Sequence, residues 1–193
     1  MKVYPHTIEN GAGEQITFHR LVSDPTGDWL EGESLVQPGA GPPMHVHYLQ
    51  EEAFTVQQGR LGYQLLGQEP RYAGQGESVV FKPGEAHRFW NAGERELHCT
   101  GYVKPADNLE YLLSAIFASQ KQNGGKRPDL FDVTYLLRRY KSEFGMVAIP
   151  GFVQRFVFPI LVVIGKLLGK YQKYADAPEP IKPERGRNKV DVV

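Results

Sequence analysis

Between residues 14 and 104 apolar and polar residues alternate with a period of two, and from Ala106 the period lengthens to about 3.6, so the chain predicts strands first and helices after. Strand candidates at residues 15–22 and 29–37 flank the turn-forming Ser23-Asp24-Pro25-Thr26-Gly27. They should supply an edge and a wall of a β-sheet structure. The stiff loop 38–43, rich in Pro and Gly, delivers the chain to His45. A strand is predicted from the run Ala53-Phe54-Thr55-Val56-Gln57-Gln58 after a short turn. In residues 60–66 the alternation places Leu61, Tyr63 and Leu65 on one face, and the same parity turns Val79, Phe81, His87, Phe89 and Asn91 inward. A last strand at 96–103 closes the sheet and Pro105 ends it.

The helical half begins with the stripe Leu109, Leu112, Leu113, Ile116 and Phe117, with Asp107 as the expected N-cap and Asn123-Gly124-Gly125 as the stop. A second helix is expected after Pro128, with Leu130, Val133, Thr134 and Leu137 on one face and Arg138-Arg139 near its C-terminus, where the helix dipole favours cations. The third helical stretch, 151–174, carries a continuous apolar stripe, and its charged residues Arg155, Lys166, Lys170 and Lys173 are all basic. Its uncharged run from 156 to 165 is far shorter than the roughly twenty residues a bilayer span needs, and Pro159 interrupts it. Two roles stay open for it: lying in an anionic membrane surface, or packing on the barrel or on a partner subunit. Three regions are therefore expected: a barrel at 1–104, a helical extension at 105–174, and a proline-punctuated flexible tail or surface strap at 175–193.

Charge sharpens the division. Lys plus Arg and Asp plus Glu number 22 each over the 193 residues, which argues against bulk nucleic-acid binding. The balance hides a net charge of −5 over 1–104 and +5 over 105–174, and these opposite signs favour the helices packing on the barrel or on a partner subunit. The single cysteine, Cys99, excludes an intrachain disulfide and reads as a small buried residue of a late strand. The opening residues show no secretory signal, so the expected location is cytoplasmic, with membrane association through 151–174 as the alternative.

The chemistry is concentrated between Gly39 and Gly59. His45 and His47, two apart on an extended segment, face the same way, and Glu52 beyond a turn can bring a carboxylate back toward them. A second stretch from Gly76 adds His87, with Asn91 four residues on. Imidazole and carboxylate are ligands for divalent transition metals. His6 and His19 have no partner at a useful spacing, Glu51 points away from Glu52, and His98 is a candidate supporting residue.

These two stretches resemble the paired motifs of the cupin superfamily. The first matches at Gly39, His45, His47, Glu52 and Gly59, and the second at Gly76, Gly84, His87 and Asn91, with Lys82 standing where the family usually has proline. The resemblance covers residues 14 to 104. It implies a mainly β fold, a double-stranded β-helix (jelly-roll) barrel followed by the C-terminal α-helices, with a metal (Fe, Mn, Ni or Zn) held by His45, His47, Glu52 and His87. Tyr63 and Phe89 are the candidates for lining a small-molecule pocket beside it. Three functions follow as expectations: a dioxygenase-type oxidoreductase acting on a small organic substrate, a non-catalytic ligand-binding cupin whose helices mediate dimerisation or membrane attachment, and a metal-stabilised structural homodimer.

Overall fold

A computed structural model describes residues 3–25 and 27–182 of the chain. Ten strands precede the first helix: β1 (His6–Glu9), β2 (Glu14–Asp24), β3 (Gly27–Val36), β4 (His45–His47), β5 (Glu51–Gln58), β6 (Leu61–Leu65), β7 (Arg71–Ala73), β8 (Ser78–Phe81), β9 (His87–Asn91) and β10 (Leu97–Lys104). There follow α1 (Leu109–Gln122), α2 (Leu130–Arg139), β11 (Phe144–Met146) and α3 (Phe158–Leu167). The strands form a six-stranded sheet in the order β1-β2-β3-β10-β5-β8 and a five-stranded sheet in the order β11-β4-β9-β6-β7, all pairs antiparallel. Two such sheets face to face make the expected jelly roll, with the helices after it.

The period-two pattern decides what each strand buries. On β10, Leu97, Cys99 and Val103 are buried, and they stand opposite Val36, Ser34 and Leu30 of β3. Across the barrel Leu97, Cys99 and Val36 meet Leu61 of β6 and Phe89 of β9, together with Val56 of β5 and Phe81 of β8, in one core cluster. Side chains from both sheets thus fill this part of the barrel, as small barrels require.

The larger sheet is wider than its partner, and its β1–β3 side is covered by helix instead. Ile8, Phe18 and Leu30 pack there with Ala106 and Phe117. The first helix starts one residue later than the sequence predicts: Asn108, not Asp107, occupies the N-cap, while Asp107 takes a left-handed conformation (φ 40°) and its carboxylate accepts from Gln50 Nε2 at 3.2 Å. At α2 the cap is Asp129, whose side chain accepts from the backbone N–H groups of Phe131 and Asp132. Leu136, Leu137 and Thr134 are buried on this helix, whereas Leu130, expected on the inner face, is exposed in its first turn.

After α2 the chain returns to the barrel. Phe144, Gly145 and Met146 pair with His47, Val46 and His45, so a strand from the helical extension completes the smaller sheet beside β4. Buried Glu143 anchors this junction by accepting from the Asn108 side chain (2.9 Å) and the Ile181 backbone N–H (3.0 Å). Residues 175–182 of the expected tail run as a strap, held where Arg139 donates to the Ala177 and Pro178 carbonyls and Tyr140 to Pro178. Residues 183–193, the rest of that tail, lie outside the described residues.

Over the stretch 151–174 the structure departs from the continuous packed helix suggested by the stripe. A π-helical turn at Val153–Val157 precedes α3, Pro159 sits in the first turn of α3 where its missing N–H is harmless, and a short 3₁₀ turn follows at Gln172–Tyr174. This helix packs on α2, burying Phe158 and Gly165, and leaves most of its apolar residues in solvent. No helix among the described residues is long and apolar enough to cross a membrane.

Candidate metal centre

Adjacent strands of the smaller sheet bring the motif residues together. His45 on β4 stands directly opposite His87 on β9, His47 follows on the same face of β4, and Glu52 reaches across from β5 of the larger sheet. Ligand atoms of His45, His47, Glu52 and His87 lie within 4.8 Å of one another. The carboxylate oxygen Oε2 of Glu52 is 2.9 Å from His87 Nε2 and 3.9 Å from His47 Nε2. Packing holds the rings in place: Phe81 stacks flat on His87 at 3.9 Å, and Phe144 meets His47 edge-on at 5.3 Å.

Hydrogen bonds fix which nitrogens face the centre. His45 Nδ1 is 2.8 Å from the Pro43 carbonyl oxygen and His87 Nδ1 is 2.8 Å from the Glu85 carbonyl oxygen. A carbonyl can only accept, so both Nδ1 atoms carry a proton and the Nε2 atoms of these rings point inward. His87 Nε2 and Glu52 Oε2 lie at hydrogen-bond distance, so a proton or a cation stands between them. His47 Nδ1 is buried without a hydrogen-bond partner among the described residues.

The electrostatics point the same way. Burial, with the neighbouring imidazoles of His47 and His87 adding to it, holds His45 down at about 3, and burial also lowers His47. Burial alone would raise the Glu52 carboxyl, but His47, His87 and His45 outweigh it and keep that carboxyl well below its ordinary range. A buried carboxylate ringed by inward-facing imidazole lone pairs is a donor set that fits a divalent transition metal.

Of the two pocket residues expected from the sequence, Phe89 lines the cavity beside the centre. Tyr63 lies opposite Phe89 in the β6–β9 register and packs with Phe81 in the core cluster, and it is not one of the cavity's walls. Among the remaining histidines, His98 Nε2 pairs with Glu33 at 2.9 Å and His6 Nδ1 with Glu110 at 2.8 Å, both apart from the cluster. The walls that sequence reasoning missed come from the helical half: Leu112, Leu113 and Ile116 of α1, Leu137 of α2, and Phe144 of β11. The α1 stripe was visible as an apolar face, but nothing in it told a cavity wall from a packing face.

Residues 32–101 match the family model described as the cupin domain. The chain is 30% identical over 121 residues to the oxidoreductase iacF of Pestalotiopsis fici, an overlap of 58% of this chain and 57% of that protein. It is 28% identical over 117 residues to the probable oxidoreductase patJ of Aspergillus clavatus, covering 60% of this chain and 32% of that one. The chain therefore spans from about a third to little more than half of the length of these curated relatives. Among solved structures, KdgF from Halomonas sp. overlaps 53% of this chain and 90% of its own at 18% identity, with a TM-score of 0.47.

Proposed function

Since this chain belongs, through its barrel, to the cupin superfamily, we propose that it is a metal-dependent oxidoreductase of dioxygenase type acting on a small organic substrate. The observation that carries this is the pairing of the Glu52 carboxylate with inward-turned imidazole nitrogens, two of them oriented by backbone carbonyls. His45, His47, Glu52 and His87 would hold the metal, a redox-active iron, manganese or nickel ion under this reading, whereas zinc alone would favour a non-catalytic binding role. Relatives that carry the name oxidoreductase support the reaction class. When bound, such an ion would supply Lewis acidity and redox chemistry to a small substrate in the cavity. The chain's own part is to fix the Nε2 atoms, to keep Glu52 ionised in a dry site, and to present the substrate past Phe89 and Phe144. Plasma mass spectrometry on protein purified without chelator should find about one metal per chain, and His47→Ala should remove it. Full occupancy in that variant would sink the ligand assignment, and no oxygen uptake with a panel of catechols and diketones by the loaded protein would sink the reaction class.

A second reading, attachment of the helical half to an anionic membrane surface, is favoured by the outer face of α3. Phe152, Phe156, Ile160, Val163, Leu167 and Leu168 are all well exposed on and around it. Exposed apolar surface this concentrated marks an interaction site. The charges beside it are Arg155, Lys166 and Lys170, with no acidic residue between Glu143 and Asp176. A homodimer through the same face would set one copy's cations against the other's, whereas acidic lipid headgroups neutralise them. The full chain should float with vesicles containing phosphatidylserine and not with neutral ones, and Ile160→Glu should abolish flotation. A dimer by light scattering that Ile160→Glu dissociates, without flotation, would replace this reading with self-association.

A further inference from the structure

The metal cluster opens into a cavity of about 420 Å³ whose shape and lining are set by the seam between barrel and helices. Its floor is the inner face of the larger sheet, Leu30, Gly32 and Ser34 of β3 beside Val103, Gly101 and Cys99 of β10. Its roof is α1 and α2, through residues such as Leu113, Ile116 and Val133. The floor is bare where Gly32 faces Gly101. Neither position can take a side chain, because a Cβ on Gly101 would collide with the Ala53 carbonyl oxygen and one on Gly32 would come within 2.6 Å of the Thr17 carbonyl oxygen. The close approach of the strands thus enforces the hollow.

Glu14, Glu33, Gln120, Lys126 and Arg127 border the cavity, and inside this ring two buried polar groups of the larger sheet stand well apart. One is Glu52 of the cluster, which shares a row of the sheet with Val103 and Leu30. The other is Ser34, four residues further along β3 and two strands away from Glu52, a separation on the order of 15 Å. Ser34 is only 6% exposed, lines the cavity, and its hydroxyl has no hydrogen-bond partner among the described residues. A buried hydroxyl without a partner is disfavoured in a core, and an incoming acceptor or donor relieves it.

We infer that the cavity takes an elongated, largely hydrocarbon molecule with two polar points, one reaching the cluster and one a hydroxyl or carbonyl bonded to the Ser34 hydroxyl. The volume lies in the range of sites for drug-sized ligands, and the aliphatic roof excludes sugars and other densely polar substrates. Gln120, Lys126 and Arg127 give the cavity a polar rim away from the cluster. Ser34 is a specificity-determining residue, since it touches the unreactive part of the ligand. This deepens the metal-enzyme reading and rests on it for the end that reacts, while ligand binding itself does not depend on it.

The test uses the full chain, metal-stripped and zinc-loaded, with the neutral dye N-phenyl-1-naphthylamine as probe. Saturable fluorescence enhancement is expected in both forms, lost in Leu113→Trp, which fills the cavity, and kept in Ile160→Glu on the outer face of α3. 4-Hydroxybiphenyl should displace the dye about tenfold better than biphenyl, the size of one hydrogen bond gained in a dry site, and Ser34→Ala should erase that preference. The inference is overturned if the folded wild type does not bind the dye, if Ile160→Glu loses binding, or if Ser34→Ala keeps the preference. Dye binding without any metal affinity would overturn the enzyme reading and leave this one standing; metal affinity without dye binding would do the reverse.

Discussion

Two parts of one sheet face inward in the same way and are filled in opposite ways. Under β6 and β9 the inner face of the larger sheet presents Val36, Leu97, Val56 and Phe81, and side chains of the smaller sheet fill the space between. Under α1 and α2 the same strands present Gly32, Ser34 and Gly101, and a cavity remains. Both parts obey the same alternation and the same register between β3 and β10. The difference lies in the cover. A second sheet follows the twist of the first and interdigitates with it, whereas helices laid across the seam meet a floor of missing side chains. Fold and hollow are built from one strand pattern, and the helical extension turns the pattern into a site.

The largest expected break in this contrast comes from the packed part. Leu97 is fully buried among residues that cannot collapse onto an empty space, so Leu97→Ala should lower the unfolding free energy by about 2–5 kcal/mol. Urea denaturation monitored by circular dichroism measures it. A loss below about 1 kcal/mol would mean that this part of the barrel is as loosely filled as the other.

In the hollow part the sign changes. Ser34→Ala removes a buried hydroxyl with no hydrogen-bond partner among the described residues, at a place where space already exists, so the variant should be unchanged or up to about 1 kcal/mol more stable in the absence of ligand. Destabilisation by more than that would show that the hydroxyl is satisfied within the free protein and that the contrast is false at this position.

How much of this could be seen in the sequence follows from what each pattern encodes. The spacing of His45, His47 and Glu52, with His87 at a fixed place in the second motif, marks residues that antiparallel pairing brings to one point, and the structure assembles all four. Parity likewise turned Val79, Phe81 and Phe89 inward, and all three are buried in the core cluster. The three residues of β11 are too few for any alternation to show, and they follow a helix, so their pairing with β4 left no local trace. Periodicity marks residues that share a face without saying what the face meets. That is why the α1 stripe proved to be a cavity wall, and why the α3 stripe, which the sequence left between the acidic barrel, a partner subunit and a membrane surface, lies on a helix packed against α2 with most of its apolar residues exposed in the single chain. Ser34 and the two glycines gave no signal, because small residues in a strand look the same whether they ease a close approach or floor a cavity.

Cys99 lies where the two parts meet, belonging to the packed cluster and bordering the cavity, and it gives the gentlest probe of the boundary. Burial pushes its thiol up to about 12, from 9.0 for an ordinary cysteine, so the folded protein holds it protonated at pH 8 and denies thiol reagents their nucleophile. Ellman's reagent should therefore react with the native protein at the rate of its opening and with the urea-unfolded protein at once. The shift also sets a direction for stability. Between about pH 9 and pH 12 the unfolded chain loses this proton while the folded one keeps it, so the unfolded state binds fewer protons and stability falls as pH rises. Cys99→Ala should make that alkaline decline shallower by at most about 1.4 kcal/mol per pH unit, a small effect beside the tyrosines that titrate in the same range. Rapid labelling of the native protein at pH 8 would show that the cavity admits water to the thiol, and would move the boundary between the packed and hollow parts deeper into the barrel.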